Sequence, residues 1–478
     1  MKNYDQCYID GAWVKPVSPT PFQLVDPATE EVFATVQLAG KAEVDQAVVA
    51  ARRAFNSFSR TTKTEHLELL RAIVASFQQR EGDVAAAITQ EMGAPSGNKG
   101  MTGAAIDAFR QAITTLGEYE FETRESGNLI RREPIGVCGL ITAWNWPAQL
   151  IATKLSMAIA AGCTTIIKPS EFTPISAILI TEILHEAGVP KGVVNLVIGD
   201  GPTVGNAISA HPDIDMVSFT GSTRAGILVA QAAAPTVKRV SQELGGKSAH
   251  VILPDADLKA AAAWNVARAF HNTGQSCHAP TRVLVHESQR DEVVSHLVAE
   301  SAKVRVGDPK DASTTMGPVV NKAQFERVQR YIGIGLEEGA ALAFGGSGRP
   351  EGLTRGYFVR PTVFTGVRPD MTIAQEEIFG PVLAVITYKD LDEAVEIANG
   401  TVYGLGGYVF AGDLRKGYEV ASRLRAGRVF LNGTPSNPAA PMGGYKQSGN
   451  GREMGVFGLE EYLEVKAMIG FPEAAVER

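Results

Sequence analysis

The sequence predicts an α/β protein built on doubly wound parallel sheets, and three observations carry that prediction. Strand-like segments alternate with helix-like segments from Gly136 onward, the pattern of βαβ units. Several strands run into glycine turns, as in Phe219-Thr220-Gly221-Ser222 and Glu243-Leu244-Gly245-Gly246, where backbone can approach a ligand closely. The chain has 478 residues, 45% of them hydrophobic and 20% charged, which is material for two or three separate cores.

Residues 5–35 read as short strands and turns. A long helical region follows from Ala42 to Tyr119, with Val44, Ala47, Val48, Ala51 and Phe55 spaced close to the helical repeat. Asn128–Pro134 reads as an exposed strand. Beyond it, strands are expected at Val137–Ala143, Thr164–Lys168, Val193–Ile198, Met216–Thr220 and Lys238–Glu243. Helices fit between them at Gln149–Ala161, Pro174–Ala187, Val204–Ala210 and Arg224–Ala232. A second α/β unit begins near Ser248: strand Ala249–Leu253, helix Leu258–Asn272, strand Arg282–Val285 and helix Arg290–Ala302. Later strands are expected at Gly356–Phe364, Pro381–Tyr388, Gly406–Phe410 and Arg428–Leu431. A glycine-rich loop from Gly443 to Gly451 and a last strand near Leu463–Ala467 complete the chain.

Composition excludes several function classes. The formal net charge of −7 argues against a nucleic-acid surface. Four cysteines without a C-x-x-C pair give no disulfide framework and no metal site, and fit a reducing, cytoplasmic setting. The apolar stretch Leu155–Ile167 is too short to span a membrane, and the first residues carry no signal-peptide core.

Chemistry concentrates in a few segments. Cys277 stands in His271-Asn272-Thr273-Gly274-Gln275-Ser276-Cys277-His278. A free cysteine is more often a small buried hydrophobe, but this one has polar neighbours and lies between a helix and a strand, where catalytic groups tend to sit. Glu243 ends a parallel strand, an edge where ligands bind; it is either a solvated loop carboxylate or a base toward water. Asn145, just past another strand in Trp144-Asn145-Trp146-Pro147, is either an Asx-turn residue or a donor to an oxyanion. Lys168-Pro169-Ser170-Glu171 is either a charged loop or a ribose site, where Glu171 would accept from the hydroxyls and repel a 2′-phosphate. Gly221-Ser222 opens a helix whose free amides suit a phosphate. Gly199-Asp200-Gly201 begins a near-match to the dinucleotide fingerprint with one extra residue, a weak signal that at most lines an adenine pocket. Glu377-Ile378-Phe379-Gly380-Pro381 offers a carboxylate and a ring before a strand.

Taken together and in order, these segments, with Gly443-Gly444-Tyr445-Lys446, resemble the aldehyde dehydrogenase superfamily over nearly the whole chain. The resemblance implies two Rossmann-like doubly wound domains and a small β ribbon for oligomerisation. The cofactor domain would comprise residues 1–115 and 134–245, the catalytic domain 246–445, and the ribbon with its tail 116–133 and 446–478. It implies Cys277 as nucleophile, Glu243 as general base and Asn145 in the oxyanion hole, with Lys154 and Glu464 relaying protons from that base. Cofactor contacts would come from Ile141, Thr142, Trp144, Lys168, Ser170, Glu171, Gly201, Phe219, Gly221, Ser222, Gly245, Glu377 and Phe379. The cofactor implied is NAD, with NADP as a second possibility, and the assembly implied is a homodimer or homotetramer.

At the substrate end the resemblance implies a tunnel lined by Trp146, Leu150, Thr153, Ser276, His278 and Met442. Thr153 stands where many members carry a ring, and no arginine in these segments stands out as a carboxylate anchor. The expectation is a medium-sized, fairly apolar aldehyde oxidised to its acid; His278 leaves open a polar substrate instead. Glu243 counts against the alternative of acyl transfer to coenzyme A. A non-catalytic relative would lack the cysteine, base or oxyanion donor, and a cofactor-free thiol hydrolase would have no use for Lys168, Glu171 and Glu377.

Overall fold

A computed structural model describes residues 2–98 and 100–470; residues 471–478, part of the expected tail, lie outside the described residues. The helical region expected from Ala42 to Tyr119 is three helices, Lys41–Phe58, Lys63–Met92 and Gly100–Glu118. Local chemistry makes the breaks. The Thr62 hydroxyl accepts from the Glu65 N–H while the Glu65 carboxylate accepts from the Thr62 N–H, a reciprocal cap that starts the second helix. Gly93, left-handed at φ 78°, ends it.

The first sheet has eight strands. Its five central strands are parallel, in the spatial order Arg239–Glu243, Met216–Thr220, Val137–Ile141, Thr164–Lys168, Val194–Leu196. The chain enters at the middle strand, so the order reverses beside it, the place where such sheets hold ligands. Antiparallel strands close both edges: Cys7–Ile9 and Ala12–Val14 on one side, Gly449–Asn450 on the other. Gly449–Asn450, within the segment 446–478 expected to hold the ribbon and C-terminal tail, pairs its backbone with Gln242 and Glu243 of this sheet. The expected helix Val204–Ala210 is a wide turn over Gly201–Gly205, capped by the Asp200 side chain, leading into a helix over Asn206–Ala210.

The second sheet has seven strands, ordered Ala341–Phe344, Thr362–Thr365, Val382–Tyr388, Arg282–His286, Ala249–Ile252, Gly406–Phe410, Arg428–Leu431. All neighbours are parallel except the pair at the Ala341–Phe344 edge. Helices Lys322–Glu337, Leu391–Asn399 and Leu414–Arg423 cover it; the sequence pattern had not assigned them. The strand expected over Gly356–Phe364 is shorter. Tyr357 donates instead to the Pro27 carbonyl at 2.9 Å, tying the two units together, and Pro361 has no N–H for a ladder.

Buried apolar residues cover both faces of each sheet. Helix Pro147–Ala161 is mostly apolar and buried along nearly its whole length, with Gln149 and Leu150 half-buried. The strands Glu122–Glu125, Asn128–Pro134 and Leu463–Met468 form a separate antiparallel ribbon. No helix among the described residues is long and apolar enough to cross a membrane.

Candidate active site

The two sheets face one another across a cavity of about 530 Å³. The C-terminal ends of the first sheet supply Trp144, Asn145, Trp146, Gly221, Ser222, Glu243 and Gly245 to its wall; the N-terminal ends of the second supply Cys277, His278, Glu377, Phe379 and Arg428, and Met442 joins them from the loop that bridges to Glu453.

The turn before Cys277 is held against its intrinsic preference. Asn272, Thr273 and Gly274 take φ of 54°, 57° and 72°, and a β-branched residue in that region is strained. Side chains fix it from several directions. The Asn272 amide donates to the Asn145 carbonyl at 2.8 Å, Thr273 donates to the Gly317 carbonyl at 3.1 Å, and Gln275 accepts from the Val320 N–H at 2.9 Å. At Gly274 a Cβ would lie 2.3 Å from the Gly380 backbone. Polar residues around the cysteine thus build its turn.

Asn145 is buried, and its Nδ2 donates to the Gln275 carbonyl at 3.0 Å. An amide nitrogen carries two hydrogens, so one remains for a ligand. Both Glu243 oxygens are buried without a protein partner. Burial, then the neighbouring Glu453 carboxylate, hold the Glu243 proton on to well above the usual range. Burial, then the nearby Glu243 and Glu377 charges, likewise push the Cys277 thiol well up.

Lys154 is fully buried; it donates to the Ser218 hydroxyl at 2.9 Å and forms an ion pair with Glu453. The expected partner Glu464 is elsewhere. It lies on the exposed ribbon strand, paired with Arg239 at 3.1 Å, so the structure does not bring it to Lys154; the carboxylate that meets Lys154 is Glu453. Glu464 through Ala467 are all exposed on this strand, whereas Glu453 is pinned by reciprocal backbone bonds of 2.7 Å with Met442.

On the nucleotide side, Lys168 is buried and donates to the carbonyls of Pro169 at 2.6 Å and Gly199 at 2.7 Å, with Glu171 at 3.7 Å. Ser170 and Glu171 follow in the same turn. Gly201 begins the turn Gly201–Gly205 beside Lys168 and is exposed. Ile141 and Thr142 at the end of strand Val137–Ile141, and Phe219 in strand Met216–Thr220, are buried and do not line the cavity. Ser222 caps helix Thr223–Ala233. Glu377 accepts from the Gly246 N–H at 3.0 Å, and burial raises its carboxyl to about 7. Phe379, at φ 62°, meets Trp144 edge-on at 5.3 Å. Arg327 donates to the Glu377 and Ile378 carbonyls, and Gln324 to the Phe379 carbonyl at 2.6 Å. Sequence reading missed both, because it had not assigned helix Lys322–Glu337 that carries them. These groups fit a dinucleotide. The Thr142 and Thr220 hydroxyls are buried without a protein partner, and a Cβ at Gly245 would stand 2.3 Å from the Glu377 carboxylate.

On the opposite side lie Trp146, Leu150, Thr153 and Met442. Trp146 donates through Nε1 to the Ser276 hydroxyl at 3.0 Å and lies against His271 at 5.3 Å. A smaller cavity of about 190 Å³ shares Gln149, Thr153, Ser436 and Met454 with the main one. Arg268 and Arg428, which lie outside the segments read for this end, also line the main cavity. Arg428 is committed to the Pro441 carbonyl at 2.7 Å and to other atoms of the 436–441 loop. Neither arginine belongs to a motif: Arg268 sits in helix Leu258–Ala269 just upstream of the cysteine turn, and Arg428 opens strand Arg428–Leu431.

Known proteins share this frame. The profile of the aldehyde dehydrogenase family matches residues 13–468. A 3-succinoylsemialdehyde-pyridine dehydrogenase of a Pseudomonas species is 51% identical over 475 residues, covering 98% of this chain and 99% of that protein. The structure of a mutant of aldehyde dehydrogenase C from Pseudomonas syringae, in complex with NAD+ and octanal, superposes with a TM-score of 0.97 at 52% identity, covering 98% of this chain and 97% of that one. An NAD+ complex of aldehyde dehydrogenase from Bacillus cereus gives 0.94 at 40% identity, with 97% and 96% covered. With the family profile matched over residues 13–468 and relatives of 51% and 52% identity covering nearly the whole chain, the chain belongs to the aldehyde dehydrogenase family.

Proposed function

We propose that this enzyme oxidises a medium-sized aldehyde with a largely apolar tail to the carboxylic acid, with NAD as hydride acceptor. One observation carries the reading: a thiol, an amide with a spare hydrogen and a carboxyl with no protein partner converge on one cavity. In the relatives named above, NAD+ is the bound nucleotide in two structures.

Cys277 Sγ adds to the aldehyde carbon, and its proton leaves to water. The spare hydrogen of Asn145 Nδ2, with the Cys277 backbone N–H, stabilises the oxyanion of the thiohemiacetal. The nicotinamide, when bound, supplies the acceptor for the hydride lost from that carbon. The acyl group is left on Sγ as a thioester. Glu243 takes a proton from water, which attacks the thioester carbon and releases the acid and the thiol. Lys154, fixed by Glu453 and Ser218, keeps a buried positive charge beside Glu243 and favours its ionised form.

Lys168 and Glu171 would hold the adenosine ribose, Ser222 and Gly221 the pyrophosphate, and Glu377, Phe379 and Trp144 the nicotinamide riboside. Glu171 favours NAD over NADP by repelling a 2′-phosphate. Octanal in the Pseudomonas syringae structure and the apolar lining around Leu150 and Met442 support the substrate class. The ribbon strand Leu463–Met468 leaves Val465 and the following Ile469 exposed, which supports pairing with another copy; light scattering reading a monomer at micromolar concentration would refute that.

The test is reduced-cofactor formation with NAD and NADP over aldehydes of graded chain length, without coenzyme A. Turnover that is lost in Cys277→Ala supports the reading. Turnover retained in that variant, or acid release that requires coenzyme A, overturns it.

A further inference from the structure

The residue after the nucleophile carries an arrangement that neither the resemblance nor the relatives assign. Arg268, on helix Leu258–Ala269, sets Nη2 2.6 Å from His278 Nε2. A guanidinium has five donors and no acceptor, so Nε2 must be the accepting nitrogen. The ring's hydrogen then sits on Nδ1, and Nδ1 faces Cys277 Sγ at 3.9 Å. The Tyr408 hydroxyl donates to the His278 carbonyl at 2.7 Å and holds the backbone beneath the ring.

We propose that Arg268 and His278 act as a pair that stabilises the Cys277 thiolate: Arg268 positions the neutral imidazole, and the imidazole donates its Nδ1 hydrogen to the sulfur. The proposal rests on Cys277 being the nucleophile. The charged groups around it define the need. Glu243, Glu377 and Glu453 face the sulfur and oppose its ionisation. Burial, and then Arg268, Arg428 and His271 facing the imidazole, keep it from taking a second proton. His278 is therefore a fixed donor, present at every working pH, and not one half of an ion pair that forms and breaks with pH. A thiolate needs such a partner where desolvation disfavours it.

The test is the pH dependence of Cys277 alkylation by iodoacetamide in the full-length enzyme without aldehyde, followed by mass spectrometry of the Cys277 peptide. Sγ displaces iodide as the S–C bond forms, so the rate reads the thiolate fraction. In the wild type one inflection is expected. His278→Leu should move it up by about one unit and slow alkylation at neutral pH about tenfold. His278→Asn keeps an N–H near the Nδ1 position and should restore most of the rate. Arg268→Met should move the inflection in the same direction as His278→Leu, and it carries the test alone if His278→Leu does not fold. The proposal is overturned by superimposable profiles of wild type and the folded His278→Leu or Arg268→Met enzyme. It is equally overturned by a second wild-type inflection near the ordinary histidine value of about 6.5, which would mean an imidazolium. Because alkylation needs no turnover, these outcomes are separate from failure of the nucleophile reading, which Cys277→Ala tests.

Discussion

Gly246→Ala tests whether the two sheets are set to the distance the chemistry requires. Gly246 does not have a left-handed backbone, so alanine brings no conformational strain there. Its problem is space. The added Cβ would lie 2.3 Å from the Cys277 carbonyl oxygen and 3.2 Å from Leu405 Cβ. Ordinary contact begins at 3.4 Å, so the backbone at Cys277 must retreat by about 1 Å, and it is main chain that cannot rotate away. Misplacing a reacting atom by that distance costs about a hundredfold in rate, equivalent to about 3 kcal/mol on the barrier. Overpacking would also lower stability by about 1–3 kcal/mol. The assay is kcat for a saturating aliphatic aldehyde from reduced-cofactor absorbance, with thermal unfolding alongside. Gly333→Ala is the control: it sits inside helix Lys322–Glu337, where an added Cβ meets nothing within 4 Å, and should leave kcat unchanged while adding up to about 1 kcal/mol of stability. A Gly246→Ala enzyme that folds and retains kcat within about threefold of wild type would refute the claim that this contact sets the position of the nucleophile.

Four further outcomes are expected. Lys154→Met leaves Glu453 buried without its cation and should destabilise the enzyme by about 3–5 kcal/mol, read by denaturant titration; an unchanged midpoint would show the pair to be dispensable. Because burial and Glu453 raise the Glu243 carboxyl, its base form gains population as pH rises. Thioester hydrolysis should therefore keep climbing above about pH 6, where an ordinary glutamate is already ionised, and Glu243→Gln should give a single burst of reduced cofactor and then stall; stopped-flow absorbance checks both, and a flat pH profile counts against Glu243 as base. Thr153→Trp fills the junction of the two cavities and should raise KM for octanal at least tenfold while sparing short aldehydes, with equal effects on both disproving the tunnel direction. If Glu171 repels a 2′-phosphate as proposed, Glu171→Gln should raise kcat/KM for NADP relative to NAD, measured with one aldehyde at fixed ionic strength.

What the sequence determined by itself was local. Periodicity and glycine turns located Thr164–Lys168, Met216–Thr220, Gly406–Phe410 and Arg428–Leu431 at their observed ends, because a strand's alternation and its terminating turn are written within a few residues. The strand-end rule likewise placed Asn145 and Glu243 beside a ligand edge, and the polar turn singled out Cys277. The sequence read Ala42–Tyr119 as one helical region because capping by Thr62 and Gly93 is a matter of single residues inside an otherwise continuous pattern. Helices Lys322–Glu337 and Leu414–Arg423 lie late in the chain, covering the second sheet, where their role depends on what they pack against.

Only the tertiary structure decided who meets whom. Lys154 and Glu453 are 299 positions apart, and nothing local distinguishes Glu453 from Glu464; the choice follows from a backbone bridge to Met442 that turns one carboxylate inward and a ribbon strand that turns the other to water. Arg268 and His278 are ten positions apart, yet they meet only because three consecutive left-handed residues reverse the chain between them. Gln324 and Arg327 hold the Glu377–Phe379 loop from a helix of the second unit. Turn chemistry and periodicity act over single residues and short repeats, whereas side-chain partners are set by how two folded sheets face one another, and that information is spread over the whole chain.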